Sequence, residues 1–434
     1  MDFALFVALN FLLLVRPEDL YPPIAGLRLY LAVIVLCTVV ALPELQRTLS
    51  REGLRTQPIA VCVLAILGAT FASFAFRGRV ADGLDFCVEF AKVVLFFCLL
   101  ISVVNTPERL RSYVAWVAVF VNGVMAVSLL HFFEVVEFPG MDPVWQWDYD
   151  PATGEDVMVA RIISVGLFAD PNDLCVMLAF GMMLCVGLAM TSGGGFGKLL
   201  WLLPLVPLGY ACVLTKSRGG ILALLGGIAG LAFAKLGVRR SVPFLALALP
   251  ALLLGVGGRQ ANIAGGGTAH ERLMLWADGL SHLFRMPFHI PTGLAPGYYV
   301  EEFGQLAHNS FINAYVELGV LGGGLFAMAF YAAGRGTYSA LSDPDGPPWS
   351  RALGPYLFGA FAAYAVGCYS LTRNFHVPTY LVLGLVAAYV NLAAPPPDAR
   401  HVVDGAWWGR FAVLAVLGLV FLKFATQLLG LAGV

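Results

Sequence analysis

Residues 307–333 read AHNSFINAYVELGVLGGGLFAMAFYAA, and this stretch decides what kind of protein the chain is. Beyond its first few residues it is almost wholly apolar, and as a helix it is long enough to cross a hydrocarbon core of roughly 30 Å. Asn309, Asn313 and Glu317 recur at every fourth residue, so one face of that helix is polar where it enters the membrane. Lipid satisfies none of these groups. The stripe must face a cavity or the bundle interior, where Glu317 can also bond to a neighbouring helix.

Composition extends the reading to the whole chain. Of 434 residues, 59% are hydrophobic and 12% charged, against about 25% charged in an ordinary soluble domain. Mean hydropathy is +0.81. A soluble fold, a nucleic-acid-binding protein and a disordered tail are excluded. Apolar runs bounded by charged or Gly/Pro-rich breaks lie at 3–15, 27–45, 58–76, 86–104, 113–133, 166–192, 199–214, 220–237, 242–258, 307–333, 352–372, 378–394 and 411–430. They predict an all-α polytopic integral membrane bundle of about 12–14 helices, with residues 1–434 as one membrane domain. The ten-residue alternation of a transmembrane β-barrel is absent. No internal repeat stands out. The first segment lacks a basic flank and a small-residue cleavage pattern, so it is expected to be retained.

Net charge is −1, from 26 basic and 27 acidic residues, so only local charge informs. Basic loops occur at Arg47/Arg51/Arg55, Arg109/Arg111, Lys198, Lys235/Arg239/Arg240, Arg335/Arg351 and Arg400/Arg410. With the spans above, all fall on one side, which the positive-inside rule makes cytoplasmic. The proline-rich stretches Asp343–Pro348 and Pro395–Pro397 are linkers on that side. The opposite face carries the two longest loops, an acidic one at 134–165 and a larger one at 259–306. In the first, Trp145, Trp147 and Tyr149 either anchor at the interface or stack on sugar rings. Chemistry is expected on this outer face.

The eight cysteines lie in or beside apolar segments without a CxxC pair, and read as small core residues. Asp82, Asp85, Glu89 and Lys92 open one helix, with Glu89 and Lys92 spaced to neutralise each other. No P-loop, GxSxG, HExxH or dinucleotide fingerprint occurs. The spacings of His270, His282 and His289 match no zinc signature, and no metal or other cofactor is expected.

Four outer-face segments hold the remaining polar residues. In Arg161–Asp173, the break Asp170-Pro171-Asn172-Asp173 either caps a helix, with Pro171 in its first turn, or lines a cavity. The turn Thr215-Lys216-Ser217-Arg218-Gly219-Gly220 places two cations and two hydroxyls in a short outer loop, against the positive-inside tendency. Either the acidic loop or an anionic ligand compensates it. In His270–Leu280, the spacing of Arg272, Trp276 and Gly279 puts them on one face of a short amphipathic helix. The fourth is the 307–319 segment, where His308 stands at the outer end of the polar stripe. An imidazole at that water boundary is suited to act as a general base.

Taken together, these residues resemble the O-antigen ligase and polymerase family of bacterial envelope glycan enzymes. The resemblance runs over about residues 160–330. It is carried by Gly166-Leu-Phe-Ala-Asp-Pro-Asn172, the Thr-x-Ser-Arg-Gly turn ending at Gly219, Arg272 with Trp276, and Ala-His-Asn-Ser leading to Glu317-Leu-Gly319. The shorter Arg16-Pro17-Glu18-Asp19-Leu20-Tyr21-Pro22 resembles the exosortase-associated putative O-glycosylation ligase branch. The resemblance implies a metal-independent, inverting membrane glycosyltransferase whose donor is a polyprenyl-diphosphate-linked glycan. His308 would take the proton of the acceptor hydroxyl; Arg218, Arg272 and Arg161 would bind the diphosphate. Ser217, Asp170, Asn172, Trp276, Asn309, Asn313 and Glu317 would support them. The acceptor is expected to be a lipid, a glycan or a protein, reached at the periplasmic face of the inner membrane. The residues alone also suit a lipid-linked glycan transporter, although charged groups gathered at one face favour catalysis there, and a polymerase would share the same donor. An oligomerisation scaffold is a third class, but it leaves the buried polar stripe without a purpose.

Overall fold

The computed structural model describes residues 1–150, 155–243, 246, 267–393 and 402–431. Among these, eight helices are long and apolar enough to cross a membrane. A ninth results if Leu29–Val40 and Leu42–Thr48, bent by 70° where Pro43 removes a backbone donor, form one span. The chain is a multi-pass, all-α membrane protein. The apolar helices Asp2–Leu14 and Val377–Ala393 are shorter. The expected span 242–258, the Pro395–Pro397 linker and residues 259–266 of the larger loop lie wholly or largely outside the described residues.

The expected acidic loop contains an antiparallel hairpin, Val144–Asp150 paired with Glu155–Arg161, registered Val144 to Arg161. Strand alternation explains it: Trp145 and Trp147 share one face and are exposed, while Gln146 points the other way, towards Arg161. The helix expected over 352–372 is Pro348–Gly367. It stops there because residues 368–376 fold back as a polar turn.

Two compact units are present, each built from separate stretches of chain. The first comprises Met1–Pro43, Val103–Ile263 and Thr337–Gly367. Its centre is the packing of Pro171–Thr191, Arg218–Leu236 and Pro348–Gly367. Small residues allow this: an added Cβ at Gly230 would lie 2.6 Å from Ala362, and one at Gly226 2.6 Å from Val366. Close backbone approach replaces the hydrophobic drive that lipid does not supply. Asp2 pairs with Arg109 at 2.8 Å, and Asn10 accepts from Tyr113 at 2.8 Å, which joins Asp2–Leu14 to Pro107–Phe132.

The second unit comprises Glu44–Ser102, Ala264–Gly336 and Cys368–Val434. Val377–Ala393 is buried almost all round at its centre, which explains why its sequence is apolar on every face. Phe375 meets Phe86 and Phe90 edge-on at 5.0 and 5.1 Å, and Tyr380 meets Phe90 at 5.4 Å. The expected Glu89–Lys92 pair forms, at 2.5 Å.

The Ser310–Ser342 helix of this unit is broken at Gly319, whose backbone (φ 66, ψ −164) is open essentially to glycine alone. Residues 290–295 fill the break. Leu294 and Ala295 donate to the carbonyls of Val316 and Glu317, at 2.9 and 3.0 Å. Val320 and Leu321 donate to the carbonyls of Ile290 and Pro291, at 2.9 and 3.0 Å. Ser73 Oγ donates to the Glu317 carbonyl at 2.7 Å and accepts from Ala295 N at 3.0 Å. The backbone groups freed by the break are thus paired within protein, as membrane depth requires.

Candidate functional site

The expected site residues fall into two polar clusters, one in each unit. The first is built around Asn172. Asp170 caps Pro171–Thr191, its carboxylate accepting from Asn172 N at 2.7 Å and Asp173 N at 3.4 Å, with Pro171 in the first turn. The capping reading of this segment therefore holds. Ser217 caps Arg218–Leu236 in the same way, accepting from Gly220 N at 3.0 Å. Its hydroxyl donates to Asn172 Oδ1 at 2.7 Å, so the two helix N-termini meet. Gly220 permits this, because a Cβ there would overlap Cys175.

Arg161 is buried, with 7% of its surface exposed. It donates to Thr215 O at 2.7 Å, Gln146 Oε1 at 2.9 Å and Asn172 Oδ1 at 3.0 Å. One guanidinium therefore ties the hairpin, the 215–220 turn and the start of a membrane helix together. Lys216 (φ 50) and half-buried Arg218 follow in the same turn. Three cations, Arg161, Lys216 and Arg218, thus gather in this unit beside the Asp170 and Asp173 carboxylates, and guanidinium and ammonium donors of this kind can hold an oxyanion.

The second cluster surrounds His308. Asn309 caps the Ser310–Ser342 helix, its Oδ1 accepting from Phe311 N at 3.0 Å and Ile312 N at 3.1 Å. Asn313 Nδ2 donates to Glu317 Oε2 at 2.8 Å, while Gly297 N donates to Glu317 Oε1 at 3.0 Å. The stripe anticipated from spacing is real and buried. Glu317 places its oxygens on Asn313 and on the N-terminus of the neighbouring short helix Tyr298–Phe303, whose cap residue is Gly297. Half-buried His308 sits in the left-handed region at φ 50, and its N–H donates to Thr372 Oγ1 at 2.8 Å.

The expected amphipathic helix runs over Gly267–Arg285. Trp276 Nε1 donates to Ala307 O at 2.6 Å. Arg272 lies one turn earlier on the same face, so its helix meets the chain immediately before His308. Gly279 completes that face against Tyr299. Among the described residues no group of three His, Cys, Asp or Glu side chains gathers as metal ligands would. His282 Nδ1 lies instead 2.7 Å from Tyr298 Oη.

The turn 368–376 belongs to this cluster and is absent from the sequence-based site. Ser310 N donates to Cys368 O at 2.8 Å, Ser310 Oγ donates to Leu371 O at 2.7 Å, and Asn374 Nδ2 donates to Ser310 O at 2.6 Å. Burial, with Arg373 adding to it, holds the His376 imidazole down to about 4. By the spans read from the sequence, Arg373 falls in a short loop on the side opposite the basic loops, as Arg218 does, and that signal is present in the sequence. The Arg16 segment was legible only as a motif. In the fold the Arg16 side chain lies against Gly166 (φ 57), where any Cβ would overlap it. The chain matches no model of a known protein family and no curated protein.

Proposed function

We propose that the protein is a membrane glycosyltransferase of the O-antigen ligase type, moving a glycan from a polyprenyl-diphosphate carrier to an acceptor hydroxyl. The observation that carries this reading is the bond from Trp276 to Ala307, which sets the helix bearing Arg272 beside His308 at the head of a membrane helix. A base and a cation at a low-dielectric boundary are what displacement of an anionic leaving group needs.

The acceptor oxygen attacks the anomeric carbon as the bond from that carbon to the diphosphate oxygen breaks. His308 takes the hydroxyl proton. The electron pair of the broken bond leaves with the diphosphate, whose growing charge Arg272 stabilises. Attack opposite the leaving group inverts the anomeric centre. On this reading the protein lies in the bacterial inner membrane with its site towards the periplasm, in keeping with the side opposite the basic loops.

A discontinuous membrane helix is a feature of many transporters. Here the break at Gly319 is filled by residues 290–295 with its amides and carbonyls paired, which supports catalysis over passage at that point.

The test uses purified protein, a polyprenyl-diphosphate glycan and candidate acceptors, with EDTA present, following glycan and released polyprenyl diphosphate. Transfer to a lipid or protein, lost in His308→Ala without loss of folding, is the expected result. Lengthening of the glycan on its own carrier would make the protein a polymerase. Wild-type turnover in His308→Ala would remove the general base.

A further inference from the structure

A second cationic site lies in the second unit, at the far end of the helix that carries Arg272. It is a cavity of about 280 Å³ lined by Arg77, His282, Arg285, Met286, Tyr298 and Glu302. Arg272 and Arg285 are thirteen residues apart on one helix, or ~20 Å at 1.5 Å per residue, so this cleft is separate from the His308 cluster.

Its charges are not balanced. Arg79 is neutralised by Asp82 at 2.7 Å and Glu301 at 2.8 Å. Arg77 and Arg285, by contrast, have no carboxylate within ion-pair distance among the described residues. Arg77 lies over the Tyr298 ring at 5.7 Å, which orients its guanidinium without satisfying it. A third cation approaches from Gly405–Leu431, where Lys423 Nζ donates to Ser281 Oγ at 2.7 Å, one turn before Arg285. Against these stand Glu302, 3.8 Å from His282, and exposed Asp278 two turns before Arg285.

The position adds a second argument. Arg77 directly follows the membrane helix Pro58–Phe76, so the cleft opens at the level where a spanning helix ends. Apolar groups adjoin it: Met286 in its lining is 39% exposed, and Phe288, two residues further along the chain, is 89% exposed. Unpaired guanidiniums beside exposed aromatic and thioether side chains match a ligand that is anionic at its head and apolar below it.

We propose that this cleft binds the phosphate group of an anionic membrane phospholipid, with Arg77 and Arg285 on the phosphate and Met286 and Phe288 against the acyl chains. The volume is that of about nine waters, room for a glycerophosphate head. The site does not depend on the glycan-transfer reading.

Native mass spectrometry of the purified full chain, incubated with phosphatidylglycerol or phosphatidylcholine, tests it. Phosphatidylglycerol is expected to be retained at least tenfold more tightly. Arg77→Gln and Arg285→Gln should each weaken it about tenfold, the loss of one charge-assisted bond, while Arg79→Gln leaves retention unchanged. Size-exclusion profiles establish that the variants remain folded, and Arg285, on the exposed helix end, bears little packing. Equal retention of the two lipids would overturn the proposal. So would an equal loss in Arg79→Gln, which reduces the effect to general surface charge. Displacement of phosphatidylglycerol by millimolar inorganic phosphate or glycerol phosphate would assign the cleft to a soluble anion and overturn the lipid.

Discussion

Asn172 offers the sharpest test of the first cluster, because one atom serves two partners. Its Oδ1 accepts from Arg161 at 3.0 Å and from Ser217 at 2.7 Å. Asn172→Leu removes the acceptor for both. A bond to a charged donor contributes about 1.5–3 kcal/mol and a neutral one about 1 kcal/mol, so this variant should lose roughly 3 kcal/mol of stability. Asn172→Asp keeps the shape and both acceptors, and its charge is favourable at a helix N-terminus, so the fold should survive. The new charge would stand roughly 7 Å from an anion seated on the far side of the guanidinium. At an effective dielectric near 20 that opposes binding by about 2 kcal/mol, or about thirtyfold in donor KM. Donor KM in the transfer assay, with thermal unfolding in the same detergent, measures both effects. A folded Asn172→Asp protein with unchanged donor KM would show that no anion binds beside Arg161 and Ser217. Wild-type unfolding of Asn172→Leu would show that the bridge adds nothing to stability.

Trp276→Phe keeps the ring but leaves Ala307 O without its 2.6 Å donor. Losing 1–2 kcal/mol of positioning should lower kcat about five- to thirtyfold; a wild-type kcat in steady-state assays would separate the Arg272 helix from His308. Gly319→Ala forces a side chain into a glycine-only conformation and within 2.5 Å of Gly293 N and Pro291 C. A cost above about 2 kcal/mol is expected, read as lost yield and lower Tm, and an unchanged Tm would contradict the filled break. His376 carries a pH prediction. Its imidazole falls from 6.5 to about 4 in the fold, so between these values the unfolded chain binds more protons, and stability falls as pH drops from about 6.5 towards 4. The loss should be about 3 kcal/mol and absent in His376→Gln; parallel pH–stability curves for the two proteins would refute it.

Local features were legible without coordinates. The apolar runs among the described residues are helical, most of them long enough to span a bilayer, while the 27–45 run is bent into two helices. Asp170 with Pro171, and Ser217 with its glycines, mark helix starts by interactions that close within three residues. The Asn309–Asn313–Glu317 stripe follows from helical period alone, and so does the shared face of Arg272 and Trp276.

What the sequence determined, then, is where helices begin and which face of each is polar, since those depend on near neighbours. Which polar faces meet was decided by tertiary structure. Arg161 reaches Thr215, Ser310 is held by residues 368–374, and the gap opened by Gly319 is closed by residues 290–295. The 144–161 hairpin leaves no apolar run to mark it, although its contacts are near in sequence, because its strands pair within a polar loop. A buried donor or acceptor at membrane depth must find a partner somewhere. The pattern along the chain states that need, and only the fold brings the partner.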